Sequence, residues 1–252
     1  FIALIGLPPH HYGINGDSIE DYLRAYEITI SEARKIREEG LKTKVLVGFH
    51  PAEVDHYVKK GRNLEEIIEF AEKLFKEITR LHQKGLIDGI GEVGRQHYST
   101  SPPRLVASEL IMAKALEIAR DYDMIVHLHL EQGGFATVES INLFTKVLGV
   151  PKNLVFLHHV GYNEAFWGER QGFWYTVPAK EKTLVKTLGL KPLFMLTESD
   201  FIDDPRRPGV SSYPWNIPVI INKLLSQGII DEDLVYRIEV DNIVKAYNVN
   251  PP

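Results

Sequence analysis

Residues 124–130 read Met-Ile-Val-His-Leu-His-Leu, an apolar run that is interrupted only by His127 and His129. Its length and its branched aliphatic residues are typical of a strand that is buried on both faces of a parallel sheet. Side chains two apart on a strand point the same way, so both imidazoles are expected near its carboxyl end, where α/β folds bind ligands. Because buried imidazoles need polar partners or a metal, this strand indicates an α/β fold with a functional site.

The composition is that of a globular protein whose metal ligands cannot be thiolates. Of the 252 residues, 44% are hydrophobic, 25% are charged and none is cysteine. Any metal must therefore be held by His, Asp and Glu. No apolar run approaches the roughly 20 residues that span a bilayer, so we expect a cytoplasmic protein without a membrane helix. The formal charge of −5 gives no general attraction to nucleic acid.

Strand and helix patterns alternate along the whole chain. The clearest helix begins at Asn63 and is followed by Gly85, with one apolar face and with Glu65 and Glu66 in its first turn. The alternation shows no linker or repeat, which predicts one domain over residues 1–252 with a parallel sheet. The predicted strands cover residues 1–7, 45–49, 87–93, 124–130, 154–158, 173–177 and 193–197.

The strand count bears on the choice between an open sheet and a closed barrel. A (β/α)8 TIM barrel, typically of about 250 residues, needs one strand more than the pattern gives. The chain starts with Phe1 rather than methionine, and residues 1–7 are already a hydrophobic strand. We therefore expect a TIM barrel whose first strand is missing from this chain, with an open sheet as the alternative.

Polar residues follow the predicted strands at their carboxyl ends, which in a barrel converge on one face. They are His50, Glu92, His127, His129, His158, His159, Glu198 and Asp200. Imidazole nitrogen and carboxylate oxygen suit zinc, manganese or another divalent ion in an open, water-bearing site. Such an ion lowers the pKa of water, and a neighbouring carboxylate can take the proton, so the pattern predicts metal-assisted hydrolysis.

Five short motifs follow one another along the chain: Val47-Gly48-Phe49-His50-Pro51, Gly91-Glu92-Val93-Gly94, Ile125-Val126-His127, His159-Val160-Gly161 and Leu196-Thr197-Glu198-Ser199-Asp200. Together with residues 242–247, their order and spacing resemble the TatD-related metal-dependent hydrolases of the amidohydrolase superfamily. The resemblance implies a TIM barrel with one or two divalent metal ions, namely zinc, manganese or magnesium, and several members of the family are deoxyribonucleases. It implies Glu92, His127, His159 and Asp200 as metal ligands, with Asp200 also acting as the general base.

The chain departs from the family pattern at three places. No His-x-His pair precedes residues 1–7, which resemble the second strand of the family. Gly94 is followed by Arg95 and Gln96, where the family has Leu-Asp, and His129 stands where an arginine is often found. A positive anchor for phosphate would therefore be Arg95 or Lys180, or be absent. The residues expected to line the substrate site are His50, Arg95, His129 and Glu198, of which Glu198 would orient a neighbour.

Several candidates also have a purely structural interpretation. Glu92 suits a solvated loop carboxylate, and His127 suits a buried imidazole that donates to a carbonyl. Asp200 precedes a predicted loop at residues 203–208 and suits a helix cap. His50 suits a turn residue fixed by the proline that follows it.

The sequence pattern leaves the roles of two further sets of residues open. His158 and His159 point opposite ways on a regular strand, so only one is expected as a ligand; the His-x-Gly spacing favours His159. His158 would then either pack in the interior or hydrogen-bond to a residue that binds the metal. His10, His11, His97 and the aromatic stretches at residues 166–167 and 173–175 are expected to pack or to form the rim, with base stacking by the aromatics as the alternative.

Three functions are consistent with these residues. The first is hydrolysis of a phosphodiester in nucleic acid by metal-activated water. The second is hydrolysis of a small amide or lactone by the same chemistry. The third is a non-catalytic barrel with an incomplete metal centre. The sequence does not choose between a nucleic acid and a small molecule as the partner.

Overall fold

The computed structural model describes residues 1–202 and 212–251, so the loop predicted at residues 203–208 lies outside the described residues. The strands are β1 (Ile2–Ile5), β2 (Thr43–Val47), β3 (Gly89–Gly94), β4 (Ile125–His129), β5 (Val155–Leu157), β6 (Trp174–Pro178) and β7 (Met195–Glu198). The α-helices are α1 (Ile19–Glu38), α2 (Ala52–Lys59), α3 (Leu64–Gln83), α4 (Pro102–Tyr122), α5 (Phe135–Leu148), α6 (Tyr162–Gln171), α7 (Glu181–Leu188), α8 (Asn216–Ser226), α9 (Glu232–Tyr236) and α10 (Asn242–Tyr247). In these two ranges, no helix is both long and apolar enough to cross a membrane.

The described strands follow one another in the sheet in sequence order, from β1 to β7. The pairs β1–β2, β2–β3, β3–β4, β5–β6 and β6–β7 are parallel. Sequential parallel strands joined by helices are the arrangement of a TIM barrel. The predicted fold class is confirmed as α/β, with the strand order of a TIM barrel that lacks one strand.

The chain divides into two compact units. The first unit comprises Phe1–Glu131 and Leu143–Val155, and the second comprises Gln132–Asn142 and Phe156–Pro252. The first unit contains β1 to β4 with α1 to α4, and the second contains β6, β7 and α6 to α10. Each unit contains a cluster of imidazole and carboxylate side chains.

The sequence specifies the starts of the amphipathic helices α1 and α3 through capping boxes. Ser18 accepts a hydrogen bond from the backbone N–H of Asp21, whose carboxylate accepts from the Ser18 N–H at the start of α1. Asn63 and Glu66 repeat this exchange at the start of α3. Each box satisfies two of the backbone donors that a helix start leaves without partners. The helix predicted from Asn63 is therefore present over nearly its predicted length.

Helix α2 is absent from the sequence prediction. Its buried residues are Glu53, Val54, Asp55 and Tyr57, so half of that face is acidic. Tyr22 donates a hydrogen bond of 2.6 Å to Glu53, and burial raises the pKa of the Glu53 carboxyl. Buried acids whose partners lie elsewhere in the chain do not produce an apolar periodicity, so the usual helix pattern is missing here.

Candidate functional site

The first unit brings together two imidazoles and a carboxylate from the ends of three neighbouring strands. His50 lies just beyond β2, Glu92 lies within β3, and His129 is the last residue of β4. Glu92 Oε2 is 3.2 Å from His50 Nε2 and 2.9 Å from His129 Nδ1. The ligand atoms of all three residues lie within 4.8 Å of one another. We call these three residues the His50–Glu92–His129 group.

An irregularity in β3 accounts for the position of Glu92. Ile90 pairs with Val126, but Val93 pairs with Leu128, so β3 has one residue more than β4 over this stretch. A bulge of this kind re-aims a side chain at a strand end. Glycine is required at the end of β3, because a Cβ on Gly94 would lie 2.0 Å from the His129 carbonyl oxygen. The bulge thus places Glu92 beside His129 rather than leaving it in regular register.

His127 lies on the same strand, two residues before His129, and is almost completely buried. Among the described residues, none of the groups whose ligand atoms lie within 4.8 Å of one another includes His127. Burial lowers the pKa of the His129 ring, although Glu92 beside it acts in the opposite direction. The ligand role of His127 and the substrate-binding role of His129 both stay predictions.

Arg95 is buried and pairs with two partly exposed carboxylates. Its Nε and one terminal nitrogen donate to the two carboxylate oxygens of Glu131, both at 2.7 Å, and the other terminal nitrogen donates to Glu109 at 3.1 Å. The residue is only 3% exposed. A bidentate pair of this kind fixes the guanidinium firmly in place. The contact of Arg95 with substrate stays a prediction, and it would compete with these two carboxylates.

Asp55 of α2 fixes the segment that follows β3. Its carboxylate accepts hydrogen bonds from Gln96, Tyr98, Thr100 and Arg104, at 2.7 to 3.1 Å. Burial by itself would raise the pKa of Asp55, but these four donors outweigh it and hold the pKa below its ordinary value. The same segment carries His97, whose ring centroid lies 4.6 Å from that of His129. Asp55 thus helps to hold His97 beside the His50–Glu92–His129 group.

The second unit holds a chain of carboxylate, imidazole and carboxylate. His158 Nδ1 lies 2.8 Å from Glu198 Oε2, and His158 Nε2 lies 3.6 Å from Asp200 Oδ1. Thr176 lies 3.1 Å from the same Nδ1 and accepts a hydrogen bond from the backbone N–H of His159. A carboxylate beside Nδ1 favours the proton on that nitrogen. Nε2 then keeps its lone pair on the side of Asp200.

Two residues of this second group have left-handed backbones, with φ of 40° at His159 and 49° at Asp200. Non-glycine residues in this region carry strain and are concentrated at functional sites. Strand β5 ends at Leu157, one residue earlier than predicted, so the argument that His158 and His159 must diverge does not apply. The ligand atoms of His158, His159 and Asp200 lie within 4.8 Å of one another. We call these residues the His158–His159–Asp200 group.

The donor chemistry of both groups fits a divalent metal ion. Each group offers imidazole nitrogen and carboxylate oxygen within a span that one ion can bridge, and the chain has no cysteine. This combination suits zinc and manganese. The structure therefore shows His, Glu and Asp groups able to hold a metal.

Sequence reasoning missed several residues around these groups. Asp55 and Thr176 carry no local signal, because their contacts join positions far apart in the chain, and His97 was expected only to pack or to form the rim. The adjacent histidines at 158 and 159 marked a candidate metal site in the sequence. The sequence did not show that β5 ends at Leu157, which lets both imidazoles belong to that site. The aromatic stretch at residues 173–175 is buried, as packing requires, whereas Phe201, Tyr213 and Trp215 form an aromatic cluster that the sequence pattern does not indicate.

The sequence of this chain is similar to those of known proteins. The family model described as "TatD related DNase" matches residues 20–248. An uncharacterized protein of Methanocaldococcus jannaschii, MJ1127, is 33% identical over 214 residues, which cover 81% of this chain and 72% of the relative.

Solved structures share the fold at low identity. A TatD-like protein from Archaeoglobus fulgidus, AF1765, superposes with a TM-score of 0.65 at 12% identity, over 98% of this chain and 88% of the other. An organophosphorus hydrolase from Deinococcus radiodurans superposes with a TM-score of 0.63 at 16% identity, over 96% of this chain and 90% of the other. At these identities the two structures support the fold alone.

Proposed function

The chain belongs to the TatD related DNase family, and from this premise we propose that it is a divalent-metal-dependent hydrolase of phosphodiester bonds in nucleic acid. The observation that carries the proposal is the donor chemistry of the His50–Glu92–His129 and His158–His159–Asp200 groups. Zinc is the proposed metal because imidazoles predominate among these donors, with manganese and magnesium as the alternatives.

A bound divalent ion supplies Lewis acidity and lowers the pKa of water. The side chains of the second unit supply the proton chemistry. Asp200 is the proposed general base that takes a proton from the attacking water. Glu198, paired with His158 Nδ1, fixes the imidazole so that Nε2 faces Asp200.

Exposed aromatic rings support a nucleic-acid substrate. The rings of Tyr213 and Trp215 are stacked with centroids 4.6 Å apart and planes only 8° from parallel. Phe201, the residue after Asp200, lies 5.5 Å from Tyr213. Trp215 is 62% exposed and Phe201 is 40% exposed, so both rings are accessible to a planar ligand. Stacking on such rings is the usual means of holding the bases of a single strand.

The substitution Trp215→Ala is expected to raise KM for single-stranded DNA, by a factor corresponding to about 1–3 kcal/mol per stacked base. An oligonucleotide made of abasic residues has no base to stack, so its cleavage should not respond. Steady-state kinetics on both substrates measure the effect. Tyr236→Ala, which removes another exposed ring, is the control and should leave KM unchanged. Equal losses on the two substrates would contradict the stacking role.

A second candidate function is hydrolysis of a small lactone or amide by the same residues. A structural neighbour that shares the fold is described as derived from a weak promiscuous lactonase, so a lactone is the substrate to compare with DNA. A small substrate would not need the aromatic cluster at Tyr213 and Trp215. A non-catalytic role is the third candidate and requires that the chain fail to retain a metal.

A substrate panel separates these functions. The full chain, loaded with zinc, manganese or magnesium, is expected to cleave single-stranded DNA and bis(p-nitrophenyl) phosphate. Chelation should abolish the activity and added metal should restore it, because without the ion the attacking water keeps its ordinary, high pKa. Turnover of lactones or N-acyl amides alone would replace the nuclease proposal. Less than about one ion per chain after purification without chelator would favour the non-catalytic role.

A further inference from the structure

Aromatic rings line one side of α6 in the second unit. Tyr162, Phe166 and Arg170 are spaced four residues apart, so their side chains lie along the same face of the helix. The ring centroid of Trp167 lies 5.2 Å from that of Phe166, and the ring centroid of Phe135, at the start of α5, lies 4.8 Å from that of Trp167. We call these five residues the α6 aromatic strip.

The α6 aromatic strip is accessible to a ligand. Phe135 is 52% exposed, Tyr162 is 39% exposed, and residues 166–167 are half-buried. The helix packs against the protein through its other side, where Ala165 and Gly168 are buried. Packing of the folded chain therefore does not account for these rings, and contiguous exposed apolar groups of this kind mark interaction sites.

The charge on the strip favours an anionic ligand. The guanidinium carbon of Arg170 lies 4.0 Å from the ring centroid of Phe166 and 5.5 Å from that of Trp167. Within the part of the chain that the structure describes, no ion pair joins Arg170 to a carboxylate. A guanidinium that stacks on a ring keeps its in-plane N–H donors available, and their fork matches the geometry of a phosphate.

The carboxylates of α6 and the start of α5 are already satisfied within the protein. Glu164 accepts a hydrogen bond of 2.7 Å from the backbone N–H of Gly134, so this helix start is occupied by a carboxylate of the chain itself. Glu169 accepts from the Tyr175 hydroxyl at 2.8 Å and from two backbone N–H groups. Arg170 therefore supplies the positive charge beside the rings.

The strip begins close in sequence to the His158–His159–Asp200 group. Tyr162 follows His159 by three residues, and Gly161 between them caps the start of α6. In a βα unit, the helix starts at the carboxyl end of the preceding strand, which is the edge where the catalytic groups of a TIM barrel lie. The strip thus extends along α6 from the edge of the sheet that carries this group.

We propose that the α6 aromatic strip is a further binding surface for single-stranded nucleic acid, on which bases flanking the cleaved bond stack while Arg170 holds a phosphate. The inference rests on the proposed function, because the ligand is the substrate of the His158–His159–Asp200 group. Aromatic rings that stack bases, combined with a cation for the backbone, are the usual means by which proteins hold single strands without sequence preference. The surface is separate in sequence from the rings of Tyr213 and Trp215.

The first test uses the unaltered full chain in chelator, where cleavage does not interfere. Single-stranded DNA of about 12 nucleotides, carrying 5-iodouracil at one position at a time, is bound and irradiated, and cross-linked peptides are mapped by mass spectrometry. The expected result is cross-linking to Phe135, Tyr162 or Trp167 from positions other than those that cross-link to Trp215. Cross-links that leave out the strip, or no binding in chelator, would overturn the proposal, because the strip holds no metal ligand.

The second test measures the Kd of the same DNA by fluorescence anisotropy in chelator. Phe135→Ala and Tyr162→Ala should each raise Kd by about 5-fold or more through loss of a stacked base. Arg170→Gln should lower the slope of log Kd against log salt concentration by about 0.7, because one phosphate contact is lost. Tyr122→Ala on α4 and Arg34→Gln on α1 make the same changes at other exposed positions and should alter neither quantity.

An oligonucleotide of abasic residues separates stacking from a general disturbance of α6. Its Kd should not respond to Phe135→Ala or Tyr162→Ala, because it has no base to stack. Its salt dependence should still respond to Arg170→Gln, because its phosphates remain. Equal losses on the natural and the abasic strand in the two ring variants would overturn the stacking role.

These outcomes are distinguishable from failure of the proposed function. A chain that cleaves DNA but whose Kd is unchanged in Phe135→Ala, Tyr162→Ala and Arg170→Gln would overturn the strip assignment alone. A chain that shows the expected changes in Kd but cleaves no DNA with any metal would overturn the proposed function alone. If the strip joins two copies of the chain instead, Phe135→Ala should change the mass in sedimentation velocity and leave Kd unaltered, which would also overturn the assignment. Circular dichroism of each variant confirms that the fold is retained, and the cross-linking test does not depend on any variant.

Discussion

The substitution Asp200→Asn is expected to lower kcat for phosphodiester cleavage by about 10²–10⁴-fold and to leave the fold intact. A neutral amide has nearly the same shape as the carboxylate, but it cannot accept the proton of the attacking water. Asp200 has a left-handed backbone, and its Oδ1 lies 3.6 Å from His158 Nε2 in the second unit. Steady-state kinetics with metal in excess measure the effect.

A matched control separates the role of Asp200 from a general loss of charge. Asp233→Asn makes the same chemical change at an exposed position of α9 and should leave kcat unchanged. Circular dichroism and metal content of the Asp200→Asn protein establish that it is folded and loaded. Retained activity in such a sample would remove Asp200 from the role of general base.

The substitution Asp55→Ala is expected to lower the free energy of unfolding by about 3 kcal/mol. The aspartate side chain is 9% exposed and accepts from four side chains, one of which is the Arg104 guanidinium. Removing it leaves a partly buried positive charge and three polar donors without their acceptor. Urea unfolding followed by circular dichroism measures the change. The exposed pair Arg120–Asp121 offers the control, because Asp121→Ala should cost only about 0–1 kcal/mol.

The same residue predicts a pH dependence of stability. The pKa of Asp55 is held below its ordinary value in the folded protein, so its contribution is fully present above the pKa of the unfolded chain, about 4. This contribution to stability is lost as the pH falls below about 4 and through the lower pKa that Asp55 has in the folded protein. The difference in unfolding free energy between the natural chain and Asp55→Ala should therefore shrink on acidification below about pH 4. A difference that stays constant from pH 6 to pH 3 would contradict this account.

The sequence by itself determined the order of elements and the strand ends at which polar residues gather. Alternating apolar runs and helical periodicities are local properties, so residues 124–130 and the helix after Asn63 were predictable from short stretches. The capping residue Asn63 acts within one helical turn and was equally visible. Once these elements alternate, a parallel sheet in sequence order follows, because each helix returns the chain to the next strand.

Only the tertiary structure decided which of these polar residues meet. His127 and His129 look alike in the sequence, but one extra residue in β3 puts Glu92 beside His129. The end of β5 at Leu157 lets His158 and His159 both face Asp200, against the alternation of a regular strand. Asp55 becomes a buried anchor only through donors about 40 or more residues away. Such contacts depend on register, bulges and packing between distant segments, which the periodicity of a single segment does not encode.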